Sequence, residues 1–217
     1  LKARGLGLMR SVGGKRVGLL GGSFDPVHIA HIELAKAALK HLDLDEVQLL
    51  PAKQPWQKPE LATSAQDRLN MLELATDGLL GIVINPIELK RPGKTYTLDT
   101  LNELPSEPAY FWLMGADQLA NFPTWSNWQE IAKRLTLVAA QRPGNALHVP
   151  PALQTLIDAG QANVQTLPFE PLAISSSELR ELLAHQKPVD QWLDPKVITY
   201  IDQHGLYGVC GASNSSH

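Results

Sequence analysis

The sequence predicts an α/β protein: a doubly wound parallel sheet with helices on both faces and a small C-terminal helical part. Three observations carry that expectation. Short β-rich runs alternate with amphipathic helical segments along most of the chain, the pattern of a parallel sheet covered by helices. No internal repeat or low-complexity block interrupts the alternation. The 217 residues suit one sizeable domain that buries its own core.

Residues 16–20 read as the first strand. Residues 27–41 read as a helix, because Ile32, Ala35, Leu39 and Leu42 recur at spacings of three and four. A second strand over 46–50 is stopped by Pro51, and a loop rich in Pro, Gln and Lys follows to Ala62. Thr63 or Ser64 can cap the next helix, with Gln66 three residues after Thr63 as a capping box requires, and that helix runs to about Thr76. Residues 82–85, 110–114, 136–140 and 164–167 are the remaining strands. Between them, 97–104, 116–121 and 125–134 read as helices. Two closing helices, 176–184 and 194–204, are separated by Pro188. The domain is expected over 15–207, with a flexible extension over 1–14 and a Gly/Ser/Asn-rich tail over 208–217. Ligands of an open parallel sheet bind beyond the carboxyl ends of its strands, so the loops after the first, second and fourth strands are where a site is expected.

Composition narrows the function. A 44% hydrophobic and 19% charged content reads as a soluble globular chain. The formal net charge of −3 lacks the basic excess of a general nucleic-acid binder. No apolar run approaches the roughly 18 residues of a membrane span, and the N-terminal stretch lacks the apolar run of a signal peptide. Cys210 is the one cysteine, so no disulfide framework exists within the chain and a reducing cytoplasm fits. No nucleic-acid or membrane partner is expected; a monomer and a small homo-oligomer are both compatible with the sequence.

The segment Gly21-Gly22-Ser23-Phe24-Asp25-Pro26-Val27-His28-Ile29-Ala30-His31 lies between the first strand and the first helix. Paired glycines let the backbone turn and approach a ligand closely. Free N–H groups at a helix start favour an anion. His28 and His31, three apart, share one face of a helical turn and can aim N–H donors at phosphate oxygens. A zinc pair and a capped helix with incidental histidines remain open on these residues alone. Neither a Walker A loop nor a dinucleotide fingerprint is present.

The segment resembles G-G-[ST]-F-D-P-x-H-x-G-H, the signature of the adenylyltransferases that make pyridine dinucleotides, within the (T/H)-x-G-H nucleotidyltransferases. Ala30 stands where that family usually has Gly, and its methyl group is where strain is first expected. Ile174-Ser175-Ser176-Ser177-Glu178-Leu179-Arg180 resembles the I-S-S-T-x-[IL]-R motif of the same family. Physically it is a Ser-rich helix start with an arginine one turn in, which can converge on phosphate. The stretch Glu88-Leu89-Lys90-Arg91-Pro92-Gly93-Lys94-Thr95-Tyr96-Thr97-Leu98-Asp99-Thr100-Leu101 resembles the E-L-x-R-x-x-x-S-Y-T-x-x-T-L run of the nicotinate mononucleotide adenylyltransferases. Met114-Gly115-Ala116-Asp117, then Phe122-Pro123-Thr124-Trp125, and the turn Arg142-Pro143-Gly144 resemble further motifs of that family. The Pro-Pro-His-[KR] run of many members is replaced by Pro55-Trp56-Gln57-Lys58, so its histidine is missing.

The resemblance implies a Rossmann-like fold and a reaction in which ATP and nicotinate mononucleotide give nicotinate adenine dinucleotide and pyrophosphate. It implies His28 and His31 as donors at the α-phosphate. Arg180, with Lys53 or Lys58, is expected on the departing phosphates. The loop Gly21, Gly22, Ser23 and Phe24, with the N–H groups of Ser23 and Phe24 expected to cradle a phosphate, and Ser176 and Ser177 at the second helix start complete the phosphate site. Gly115 and Asp117 are expected at the ribose. Tyr96, Thr97, Trp125 and Ser126 are expected to take the mononucleotide: N–H groups at two helix starts accept the nicotinate carboxylate, and Trp125 stacks on the cationic ring. Mg²⁺ is expected to arrive with ATP, bound through phosphates and water, and no protein metal site is expected. A sister enzyme preferring nicotinamide mononucleotide and a catalytically silent nucleotide-binding module are the competing readings.

Overall fold

A computed structural model of the chain describes residues 14–55 and 61–209. Lys58, Cys210 and nearly all of the expected N-terminal extension and C-terminal tail lie outside the described residues. Six strands form one parallel sheet: β1 Arg16–Gly22, β2 Glu46–Pro51, β3 Ile82–Ile84, β4 Ala109–Gly115, β5 Thr136–Gln141 and β6 Asn163–Pro168. Their spatial order is β3-β2-β1-β4-β5-β6, every neighbouring pair being parallel. The helices are α1 Ile29–His41, α2 Ala65–Thr76, α3 Thr97–Glu103, α4 Ala116–Asn121, α5 Trp128–Arg134, α6 Pro151–Asp158, α7 Ser176–Ala184 and α8 Pro195–His204. This is the doubly wound, Rossmann-like α/β fold.

The period-2 alternation of each central strand divides the core in two. Leu20 of β1, Phe111 and Leu113 of β4 and Val138 of β5 face one layer, where α1, α2, α7 and α8 supply Ala35, Met71, Leu179 and Ile201. Val17 and Leu19 of β1, Trp112 and Met114 of β4 and Leu137 of β5 face the other, against Leu101, Leu119, Ile131 and Leu153 of α3 to α6. Because chain order runs outward in both directions from β1 and β4, the connections leave these two strands to opposite faces. A crevice opens there, beyond Gly22 and Gly115.

Three local expectations are corrected by tertiary contacts. First, α1 begins at Ile29 and not at Val27: His28 is its N-cap with extended backbone, and the Ile29 N–H donates to the Trp192 carbonyl at 2.9 Å. Second, α5 begins at Trp128 rather than Trp125. A 3-10 turn over Phe122–Thr124 and the left-handed Asn127 intervene. Trp125 instead packs edge-on against Trp112, with ring centroids 6.0 Å apart. Third, no element is expected from the sequence between residues 141 and 163, yet α6 fills it, opening on Pro151 at a position where a missing N–H costs nothing. The helix cap at α2 is Ser64, whose hydroxyl accepts the Asp67 N–H; Thr63 turns its hydroxyl to Asp25 instead.

Met71 is fully buried between α2 and the sheet. Met71→Ala is expected to cost about 3 kcal/mol through lost burial and a cavity. Thermal unfolding of the variant would then fall by roughly 10 °C in a domain of this size.

Candidate active site

The crevice beyond β1 and β4 is a cleft of about 690 Å³, within the range of small-molecule sites. Gly21, Gly22, Ser23, His28, Ala30 and His31 line one wall. Ser175, Ser176 and Ser177 at the start of α7 join them. Thr95, Thr97, Trp112 and Trp125 line another part, and Gly115 and Asp117 stand at the end of β4.

The paired glycines act by letting aromatic rings in. A Cβ at Gly21 would meet Trp112 at 2.9 Å, and one at Gly22 would meet the Phe24 ring at 3.1 Å. The conformational freedom expected of these glycines is used by Phe24, which holds φ = 48°, a left-handed backbone that is uncommon for a bulky side chain. Ala30 is not strained: it lies inside α1 with its methyl group on the cleft wall.

Asp25, 1% exposed, ties this loop down. Its Oδ1 accepts from the Thr63 and Tyr207 hydroxyls at 2.7 Å each, and its Oδ2 from the Ala62 N–H at 2.7 Å. Burial, with the Asp25 carboxylate beside it, pushes the Tyr207 phenol far above its ordinary range, so it stays a donor. The Ser176 hydroxyl donates to the Pro26 carbonyl at 3.0 Å. Arg180 donates to the Asp25 carbonyl at 2.7 Å and to the Ser177 hydroxyl at 3.1 Å.

The two histidine rings lie face to face but tilted by 38°, with ring centroids 3.8 Å apart. The His28 N–H donates to Nδ1 of His31 at 3.2 Å. That acceptor role puts the proton of a neutral His31 ring on Nε2. Phe24 packs edge-on to His31 at 4.9 Å. His28 is 7% exposed, and burial lowers its pKa to about 4. Its Nδ1 makes no hydrogen bond among the described residues. At neutral pH it is therefore an uncharged imidazole, and an anion beside it would favour the charged form.

Several residues expected from the sequence do not form the cleft wall. Phe24, expected through its main-chain N–H, keeps its ring buried beneath the loop. Arg180 is engaged with Asp25 and Ser177, and the Lys53 side chain is exposed outside the cleft. Tyr96 is the N-cap of α3. Ser126 does not open a helix; its hydroxyl accepts from the Asn127 amide. Conversely, Glu88, Gln118, Gln141, Arg142 and Asn145 line the cleft without having been expected there. Glu88 is buried, which raises its carboxyl pKa against the opposing Thr100 hydrogen bond and Arg91 charge. The Arg142 turn was recognisable from its motif, and its position at the end of β5 is the signal that would have placed it.

Comparison with known proteins bears on this site. The cytidylyltransferase-like family model matches residues 19–182, which defines the class as nucleotidyltransferase. A protein of Bordetella avium named as a probable nicotinate-nucleotide adenylyltransferase is 50% identical over 194 residues, covering 89% of this chain and 98% of its own. One of the same name from Pseudomonas fluorescens is 37% identical, covering 89% and 98%. The chain therefore belongs to the nicotinate-nucleotide adenylyltransferase family. Its fold matches that of a Plasmodium falciparum nicotinic acid mononucleotide adenylyltransferase complexed with NaAD, with TM-score 0.71, 20% identity and coverage of 90% and 98%.

The depressed His28 pKa has a stability consequence. The folded value of about 4 lies below the ordinary 6.5, so the unfolded chain binds this proton first as pH falls. The associated stability is fully present above pH 6.5 and is lost on the way down to about pH 4, amounting to roughly 3 kcal/mol. Denaturant unfolding across that window is expected to show a flatter pH dependence for His28→Asn than for the unsubstituted protein.

Proposed function

We infer that this chain transfers the adenylyl group of ATP to nicotinate mononucleotide, releasing pyrophosphate and forming nicotinate adenine dinucleotide, a step of NAD biosynthesis. The observation that carries the reading is one cleft at the β1/β4 switch that holds the two motif histidines and the α7 serines beside Thr97 and Trp125. Family membership supports the same chemistry. No helix among the described residues is long and apolar enough to cross a membrane. A cytoplasmic enzyme fits the composition.

In the reaction a 5′-phosphate oxygen of the mononucleotide forms a bond to the α-phosphorus of ATP. The bond from that phosphorus to the αβ-bridging oxygen breaks, and pyrophosphate leaves with the electron pair. A phosphate monoester has its second pKa near ~6 and is mostly ionised at pH 7, so no strong protein base is required. The obstacle is bringing one anion to another and stabilising charge on the leaving group, which positioning and fixed donors overcome. His31 offers an Nε2–H to the α-phosphate or its bridging oxygen, and His28 offers a donor beside it. The Ser23 loop and the α7 serines hold the triphosphate. MgATP is the substrate, its ion carried by phosphates and water. Arg180 keeps the loop in place through Asp25 and can turn to the leaving phosphates when ATP binds. Trp125 stacks on the pyridinium ring, and Thr97 takes the ring carboxylate. A neutral amide gains less from such donors and leaves its own NH₂ unpaired, so nicotinate is preferred over nicotinamide.

Pyrophosphate release from ATP, measured with each mononucleotide, tests the reading. Nicotinate mononucleotide is expected to exceed nicotinamide mononucleotide in kcat/KM by about tenfold or more. Comparable turnover would favour the less selective sister enzyme, and no turnover of either would indicate a silent binding module. His31→Ala is expected to retain substrate binding and lose about 10²-fold or more in kcat.

A further inference from the structure

Arg68 is fully buried, near the start of α2, and does not line the cleft. A guanidinium is seldom buried unless its donors are satisfied; here both terminal nitrogens are, while the Nε–H has no acceptor among the described residues. One nitrogen, Nη1, donates to the Ser23 carbonyl at 2.8 Å and the Ala52 carbonyl at 2.6 Å; the other, Nη2, donates to the Lys53 carbonyl at 3.1 Å. One side chain thus holds the loop after β1 and the loop after β2. Burial lowers its pKa, opposed by the charge of Asp25, whose own carboxylate oxygens are occupied by Ala62, Thr63 and Tyr207.

In a trans peptide the C=O and the following N–H point in opposite directions. Drawing the Ser23 carbonyl inward therefore turns the Phe24 N–H outward, and drawing the Ala52 carbonyl inward does the same for the Lys53 N–H. Neither N–H has a hydrogen-bond acceptor among the described residues. The loops that carry them border the cleft through Ser23 and Ala52. Outward N–H groups from adjoining turns form a concavity suited to an anion.

We propose that Arg68 is a positioning residue that builds a two-loop phosphate cradle: by clasping the Ser23, Ala52 and Lys53 carbonyls it turns the Phe24 and Lys53 N–H groups toward the phosphates of ATP. The inference rests on the reading that ATP occupies this cleft. It gives Lys53 a role through its main chain, while its side chain stays in solvent. Lysine at position 68 would keep the charge but lacks the planar fork that reaches both loops at once.

Two measurements test it. Inorganic pyrophosphate is titrated into the unsubstituted protein while backbone amide resonances are followed by NMR. The Phe24 and Lys53 amides are expected to shift in one saturating transition together with those of His28 and His31. Shifts at His28 and His31 with Phe24 and Lys53 unmoved would overturn the cradle and leave the ATP site standing. No shift at any of the four would overturn both. For Arg68→Lys, pyrophosphate and ATP are expected to bind about tenfold more weakly. The affinity for nicotinate mononucleotide is expected to stay within about twofold. Equal weakening toward all three, or none, would show a merely structural arginine. If the variant does not fold, the amide shifts of the unsubstituted protein decide alone.

Discussion

The buried carboxylate of Asp25 is the point on which the cleft depends. It sits where β1 gives way to α1, and three donors from two places far apart in the chain, the adjacent Ala62 and Thr63 and the distant Tyr207, meet on its two oxygens. A buried carboxylate left unpaired costs several kcal/mol, so these donors must arrive together. Their arrival brings the start of α2 and the C-terminal turn carrying Tyr207 against the loop. Arg180 and Ser176 then add hydrogen bonds to the main chain at Asp25 and Pro26. The loop is thus held from three sides in a conformation that the left-handed Phe24 would not adopt unaided.

This rigidity suits the chemistry. A reaction between two anions gains most from donors already in place, because donors that must reorganise lose part of what they contribute. The His28–His31 pair is an example. The hydrogen bond from the His28 main chain orients the His31 ring, and burial keeps His28 uncharged at neutral pH. Arg68 extends the same logic to the neighbouring loop.

The two-sided sheet explains how two substrates meet. Helices α1 and α7 belong to one face and carry the histidines and serines; α3 and α4 belong to the other and carry Thr97 and Asp117. At the β1/β4 boundary both faces open on the same space. Trp112, packed on the α3–α4 side, still reaches the cleft because Gly21 has no Cβ in its way.

Local pattern alone determined much of this protein. The alternation of strand and helix, a cap at Thr63 or Ser64 and the motif segments around His28, Ser176, Thr97 and Trp125 depend on neighbours a few residues apart, which a sequence displays directly; that Ser64 is the cap was decided by the Thr63 bond to Asp25. The resemblance of those motifs then identified the family. Only the tertiary structure decided where α1 begins, because its first N–H is satisfied by Trp192. It alone decided that Trp125 lies outside α5, that Arg180 faces Asp25, and that Glu88, Gln141 and Arg142 line the cleft. It alone revealed Arg68, which in sequence is one arginine in an ordinary helix. Each of these depends on partners brought together by strand order and long-range packing, and no local spacing of residues encodes such a meeting.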